Sequence, residues 1–183
     1  MEGKELLLKI APEKRAEEVL EKAFNKPSEG PLASVVKDLR NEFSNEAWEH
    51  IVRAAIEPLA REAEVYHTGG PNEQGADVVI HYPNPFDLEN PFVVAIQVKD
   101  WDGAAGDHVA EQVKEIVQSY QRFDKHQTKQ GILVGIYVAL TRAGPSSELA
   151  DQCRIIEEQR RIPVKVVAKD DLMRVTLRGL LKR

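Results

Sequence analysis

Apolar residues recur along this chain at two spacings, and the changes from one to the other mark its elements. Ala16, Val19, Leu20, Ala23 and Phe24 fall at helical intervals over residues 12–25, with Pro12 suited to a first turn and Pro27 through Pro31 ending the helix. Leu32, Val35, Val36 and Leu39 repeat the pattern briefly. Ser44 or Asn45 then caps a third helix, in which Trp48, Ile51, Val52, Ala55, Ile56 and Leu59 make one stripe and Pro58 forces a kink or an end. Beyond it the spacing shortens. Strands are expected at Glu64–His67, Ala76–Tyr82 and Phe92–Trp101, a helix at Asp107–Phe123 and an almost unbroken apolar strand, buried on both faces, at Gly131–Leu140. A helix near Ser146–Arg160, a strand at Pro163–Ala168 and a helix at Asp170–Leu181 complete the order.

A hairpin followed by strand–helix–strand crossovers implies an α/β fold, a mixed sheet flanked by helices on both faces. The 183 residues, 42% of them hydrophobic, suffice for one full core. The expected division is an N-terminal helical extension over residues 1–43 and an α/β domain over 44–183. No repeat or low-complexity tract interrupts it.

Strand alternation focuses attention on one end of the hairpin. Asp77, Val79 and His81 share a face, as do Val93, Ala95, Gln97 and Lys99. A hairpin centred near residues 87 and 88 makes Asp77 a cross-strand neighbour of about position 98, so Asp77, Gln97 and Lys99 converge. A glutamine and a lysine ending the apolar run Phe-Val-Val-Ala-Ile-Gln-Val-Lys are costly beside buried surface without partners. A catalytic site supplies them. Asp77 could ligate a hard divalent cation, with the Gln97 amide oxygen and the Val98 carbonyl as further oxygen ligands; magnesium keeps remaining positions for water and phosphate. Lys99 would hold the attacking water and stabilise developing negative charge. The plainer alternatives are a turn residue for Asp77 and a solvated strand end for Lys99 and Asp100.

The stretch Gly69-Gly70-Pro71-Asn72-Glu73-Gln74-Gly75-Ala76-Asp77-Val78-Val79-Ile80, followed by Ile96-Gln97-Val98-Lys99, resembles the catalytic core of Mrr-type restriction endonucleases. That family belongs to the PD-(D/E)xK nuclease superfamily and carries glutamine in place of the usual second acid. Trp48-Glu49-His50-Ile51-Val52 resembles the helix before the core, where family members place a glutamate, so the resemblance implies that Glu49 assists metal binding. A salt bridge to Arg53, one turn on, is the alternative for Glu49. The likeness spans about residues 45–170, although the segment joining Asp77 to Gln97, with Asp87 and Glu89 near its tip, is long for the family.

The resemblance implies a restriction-endonuclease-like fold and a Mg²⁺-dependent endonuclease, with Mn²⁺ able to substitute, that hydrolyses phosphodiester bonds in DNA in defence or DNA processing. A double-strand break needs two sites, so a homodimer or a partner-assembled complex is expected. The rival is a catalytically silent nuclease-like fold serving as a nucleic-acid- or protein-binding subunit.

Charge qualifies this picture. Lys and Arg number 25 against 30 Asp and Glu, a net −5, so contact with phosphate must be local. Between Gln152 and Arg183 nine basic residues stand against four acidic ones, a stretch that either faces a polyanion or is simply solvated. Cys153, the sole cysteine, forms no internal disulfide and fits a reducing cytoplasm. The apolar run Leu6–Leu8 is far too short for a membrane span. The five histidines (His50, His67, His81, His108, His126) show no ligand spacing and are expected at the surface or satisfied in the core. Trp48 belongs to the core stripe, and Trp101 either stacks on a base or covers the sheet end.

Overall fold

The computed structural model describes residues 45–68, 75–99, 107–121, 131–141 and 144–181. The helices expected within residues 12–39, the glycine loop 69–74, Asp100, Trp101, Lys182 and Arg183 lie outside them. The described elements are α1 (Asn45–Ile56), β1 (Glu64–His67), β2 (Val78–Tyr82), β3 (Phe92–Lys99), α2 (Asp107–Gln121), β4 (Ile132–Leu140), α3 (Ser147–Arg160), β5 (Val164–Val167) and α4 (Lys169–Leu181). They follow the predicted order. Helix α1 stops two residues before Pro58, in a turn closed by Leu59 and Ala60 amides on the Ile56 carbonyl. Ser146 caps α3 by accepting from the Leu149 amide.

Five strands form one sheet in chain order, β1-β2-β3-β4-β5. The first three make an antiparallel meander, while β3-β4 and β4-β5 are parallel and are joined by α2 and α3. The sheet is therefore mixed, as the pattern predicts. Each face buries its own core. Val79, Val93, Ala95, Ile136, Val138 and Leu140 point to one side, against Val109, Val113 and Ile116 of α2 and Leu149, Cys153 and Ile156 of α3. Val65, Val78, Ile80, Ile96 and Val98 point to the other, against Trp48, Ile51 and Val52 of α1 and Leu172 of α4. Burial pushes the Cys153 thiol up to about 11, with the Glu157 charge adding to it, so the sulfur is a protonated packing group at neutral pH.

Strand β4 departs from expectation. Ile132, Val134 and Tyr137 are exposed, so it is buried on both faces only toward its C-terminal end. The reason is coverage: α1 and α4 lie over one end of their face of the sheet. Ile80, Tyr82, Val94 and Tyr137 are left lining an apolar cavity of about 290 Å³ with Val52, Ile56 and Val175.

The long β2–β3 connection does not disturb the hairpin. Asn84 accepts from the Phe86 amide and donates to the Asn90 carbonyl, and Asp87 accepts from the Glu89 amide and the Asn90 side chain. These turns return the chain so that Tyr82 pairs with Phe92, centring the hairpin on residue 87.

Helix α4 closes the second layer by crossing α1 at Gly179, where an added Cβ would lie 1.7 Å from the Ala55 carbonyl oxygen. Overpacking costs about 1–3 kcal/mol, here at the upper end, and the gain in helix propensity returns about 1. Gly179→Ala should therefore lose about 2 kcal/mol in urea denaturation; an unchanged midpoint would show that α4 can slide on α1.

Candidate active site

The β2–β3 ladder breaks where β2 begins. Val78 pairs with Ile96, and continuing that register would set Asp77 against Gln97. Instead the Asp77 amide donates to the Ile96 carbonyl, one residue out of step, at 2.9 Å. Meanwhile the Ala76 carbonyl, which regular pairing would offer to Val98, accepts from the Thr68 hydroxyl at 2.6 Å. Val98 would thus lose its backbone partner. The Asp77 carboxylate replaces it: Oδ2 accepts from the Val98 amide and from Gln97 Nε2, each at 2.5 Å. Both are charge-assisted bonds in a dry setting, worth about 1.5–3 kcal/mol each. Asp77 is 1% exposed and Gln97 is fully buried.

The amide orientation at Gln97 follows from chemistry. An ionised carboxylate only accepts, so the NH₂ group must face Asp77. Gln97 Oε1 is then buried with no hydrogen-bond partner among the described residues. A buried amide oxygen left in this state costs about 1–3 kcal/mol, and an electrophile would relieve it. Within a strand a residue's N–H and C=O point to the same side, so the Val98 carbonyl also faces the Asp77 side of β3. Three oxygen donors, from Asp77, Gln97 and Val98, therefore belong to one neighbourhood. A hard cation with one or two carboxylates and otherwise neutral oxygens suits such a set. Among the described residues no group of three or more His, Cys, Asp or Glu side chains is arranged to hold a metal, so the carbonyl-type oxygens matter.

Lys99 lies two residues beyond Gln97, on the same face by alternation, and is half-buried. Its carbonyl accepts from the Thr141 amide at 3.0 Å, fixing the strand end to β4. Among the described residues no carboxylate forms an ion pair with its ammonium group.

Glu49 comes from the opposite layer. It is 5% exposed, and it engages His67 on β1, with Glu49 Oε2 and His67 Nε2 2.9 Å apart. Arg53, one turn on from Glu49, donates from its Nε to the Val65 carbonyl at 3.3 Å. His67, expected at the surface or satisfied in the core, is half-buried, and its ring also lies against that of His50, with centroids 4.1 Å apart. Its alternation with buried Val65 turns both toward α1. The basic C-terminal stretch is partly neutralised locally: Arg154 pairs with Asp151 and Glu158, Lys165 with Glu157, and Arg174 with Asp171. Among the described residues no helix is long and apolar enough to cross a membrane.

The family Mrr_cat, described as "Restriction endonuclease", matches residues 40–175. No curated protein matches the chain significantly. Among solved structures, one of restriction endonuclease FokI superposes with a TM-score of 0.61 at 14% identity, covering 91% of this chain and 31% of that one. A second, of FokI bound to DNA, gives 0.51 at 12% identity, covering 84% of this chain and again 31% of that one. At these identities the likeness is one of fold. The chain spans about a third of the FokI chains it resembles.

The placement of Asp77 depends on Gly75, whose φ is +84° and where an added Cβ would lie 2.5 Å from the Gln112 carbonyl oxygen on α2. The left-handed backbone costs an L-residue about 1–2 kcal/mol and the overlap about as much again. Gly75→Ala should therefore lose about 3 kcal/mol, and its Val98 amide should exchange with solvent much faster than the other β3 amides. Wild-type protection at Val98 would show that Asp77 holds its place without the glycine.

Proposed function

The chain belongs to the Mrr-type restriction endonuclease family, and on that footing we propose that it is a metal-dependent endonuclease that hydrolyses phosphodiester bonds in DNA. The observation that carries this reading is the buried Asp77–Gln97–Val98 constellation, with the Gln97 amide oxygen unpartnered among the described residues and Lys99 next along the strand. The DNA-bound FokI structure supports DNA as the substrate class.

Asp77, Gln97 Oε1 and the Val98 carbonyl would hold a divalent cation, Mg²⁺ or Mn²⁺, with Glu49 assisting from α1. When bound, such an ion supplies Lewis-acid polarisation of a phosphate oxygen and lowers the pKa of water. The chain's own groups do the rest. The Val98 amide and Gln97 Nε2 fix the Asp77 carboxylate by donating to its Oδ2. Lys99 orients the attacking water and sets a positive charge beside the phosphate as negative charge develops on it. Water oxygen bonds to phosphorus as the P–O bond to the leaving sugar oxygen breaks, and a proton passes to that oxygen. Two copies, or this chain with a partner, would deliver the two cuts of a double-strand break.

Purified protein should cleave DNA with Mg²⁺ or Mn²⁺ and not with EDTA. Lys99→Ala should lose at least about a hundredfold in rate, in line with removal of a group that stabilises transition-state charge, and keep its Mn²⁺ affinity. Asp77→Asn should lose both, because an amide is a much poorer ligand for a hard cation. Equal rates for Lys99→Ala and wild type would sink the assignment, and metal-dependent DNA binding with no cleavage by any form would favour the silent binding subunit.

Gln97→Glu gives a test that needs no turnover. It replaces the Nε2–H···Asp77 bond by two buried carboxylates in contact, which repel unless a proton or a cation lies between them. The metal-free variant should be less stable than wild type by about 1–3 kcal/mol, as for other buried groups deprived of a partner. Added Mn²⁺ should raise its Tm more than that of wild type. Equal shifts would place the cation away from Gln97.

A further inference from the structure

Two neighbouring residues at the end of β1 touch both acidic members of the site. His67 reaches Glu49 with Nε2 at 2.9 Å. Thr68 donates its amide to the Asp77 carbonyl at 2.9 Å and its hydroxyl to the Ala76 carbonyl at 2.6 Å. His67 is itself the register partner of Val78, the residue after Asp77. We propose that His67 is a positioning residue, which with Thr68 makes the end of β1 a brace that sets the Glu49 carboxylate in a fixed relation to Asp77. This rests on the reading of Asp77 and Glu49 as metal-holding groups.

A carboxylate as buried as Glu49 needs a donor, and one on its own helix would leave its position tied to the packing of α1 alone. The Nε of Arg53, one turn along that helix, donates to the Val65 carbonyl. His67 offers Glu49 a donor from the sheet. An ionised carboxylate accepts only, so Nε2 carries the proton. The imidazole is steadied in turn by the His50 ring, tilted 30° across a 4.1 Å centroid separation. Because His67 and Thr68 are consecutive, one points its side chain toward α1 while the other ties its backbone to β2. Any shift of β1 would then move both acids together. Partners that hold a metal-binding residue in this way contribute about 10–100-fold to metal affinity.

The test is calorimetric titration of Mn²⁺ into the full chain carrying Lys99→Ala, which leaves the proposed ligands intact. His67→Ala should weaken Mn²⁺ binding by about tenfold, while His67→Gln, whose amide supplies a donor without an ionisable ring, should stay within about threefold of the background. Glu49→Gln should weaken binding, and adding His67→Ala to it should do little more, since the two residues act as one unit. Should His67→Ala not fold, His67→Leu keeps the volume and removes the donor in its place. Weak binding by Glu49→Gln with near-normal binding by the donorless variant would overturn the brace and leave the metal site standing. Failure of His67→Gln to rescue would also overturn it. Unchanged binding by Glu49→Gln would remove Glu49 from the metal site and the brace with it, and no Mn²⁺ binding by the background protein would overturn both readings.

Discussion

The structure turns on a single substitution of partners, in which a side-chain carboxylate takes over a backbone role. Where β2 slips out of register, the Val98 amide is met by Asp77 Oδ2 in place of a main-chain carbonyl. The start of the β2–β3 ladder is completed by a side chain, and the same two bonds fix the direction in which that carboxylate points. The same arrangement leaves the Gln97 amide with its NH₂ half satisfied and, among the described residues, its oxygen open. That open oxygen is a cost to the fold that a donor or a cation would relieve.

Around this point the two layers contribute differently. The α2–α3 layer presses on the start of β2 through Gly75 and buries the face on which Asp77, Gln97 and Lys99 alternate. The α1–α4 layer brings Glu49 and covers Val78 and Val98 from behind. Helix α1 runs from the Asp77 end of the hairpin toward the Tyr82 end, so its covering is complete where the site lies and incomplete where Ile80, Tyr82 and Val94 line the cavity.

Much of this was legible in the sequence. The period-2 runs ending at Lys99, the helical stripe from Trp48 and the turn-forming Asn84 and Asp87 are local signals, and local signals fixed the element order and the hairpin centre. The convergence of Asp77 with Gln97 followed from alternation alone. What stayed hidden depends on contacts between elements. Nothing in the spacing of Glu49 and Arg53 says that the arginine Nε meets the Val65 carbonyl or that a histidine eighteen residues away meets the glutamate. Likewise the apolar composition of β4 could not say that Ile132, Val134 and Tyr137 lie beyond the reach of α1 and α4. Nor could a count of basic residues reveal that several are matched by acids one turn away.

The self-braced connection between β2 and β3 separates two kinds of variation. Its turns are closed by Asn84 and Asp87, and its tip, with Phe86 and Leu88 almost fully exposed, sits at the far end of the hairpin from Asp77. Roughly five strand residues, or about 16 Å, lie between them. Length and composition at that tip are therefore mechanically insulated from the Asp77–Gln97 geometry. A chain carrying this fold can lengthen, shorten or decorate the tip while Asp77 and Gln97 stay where they are, so the two ends of the hairpin are free to vary independently.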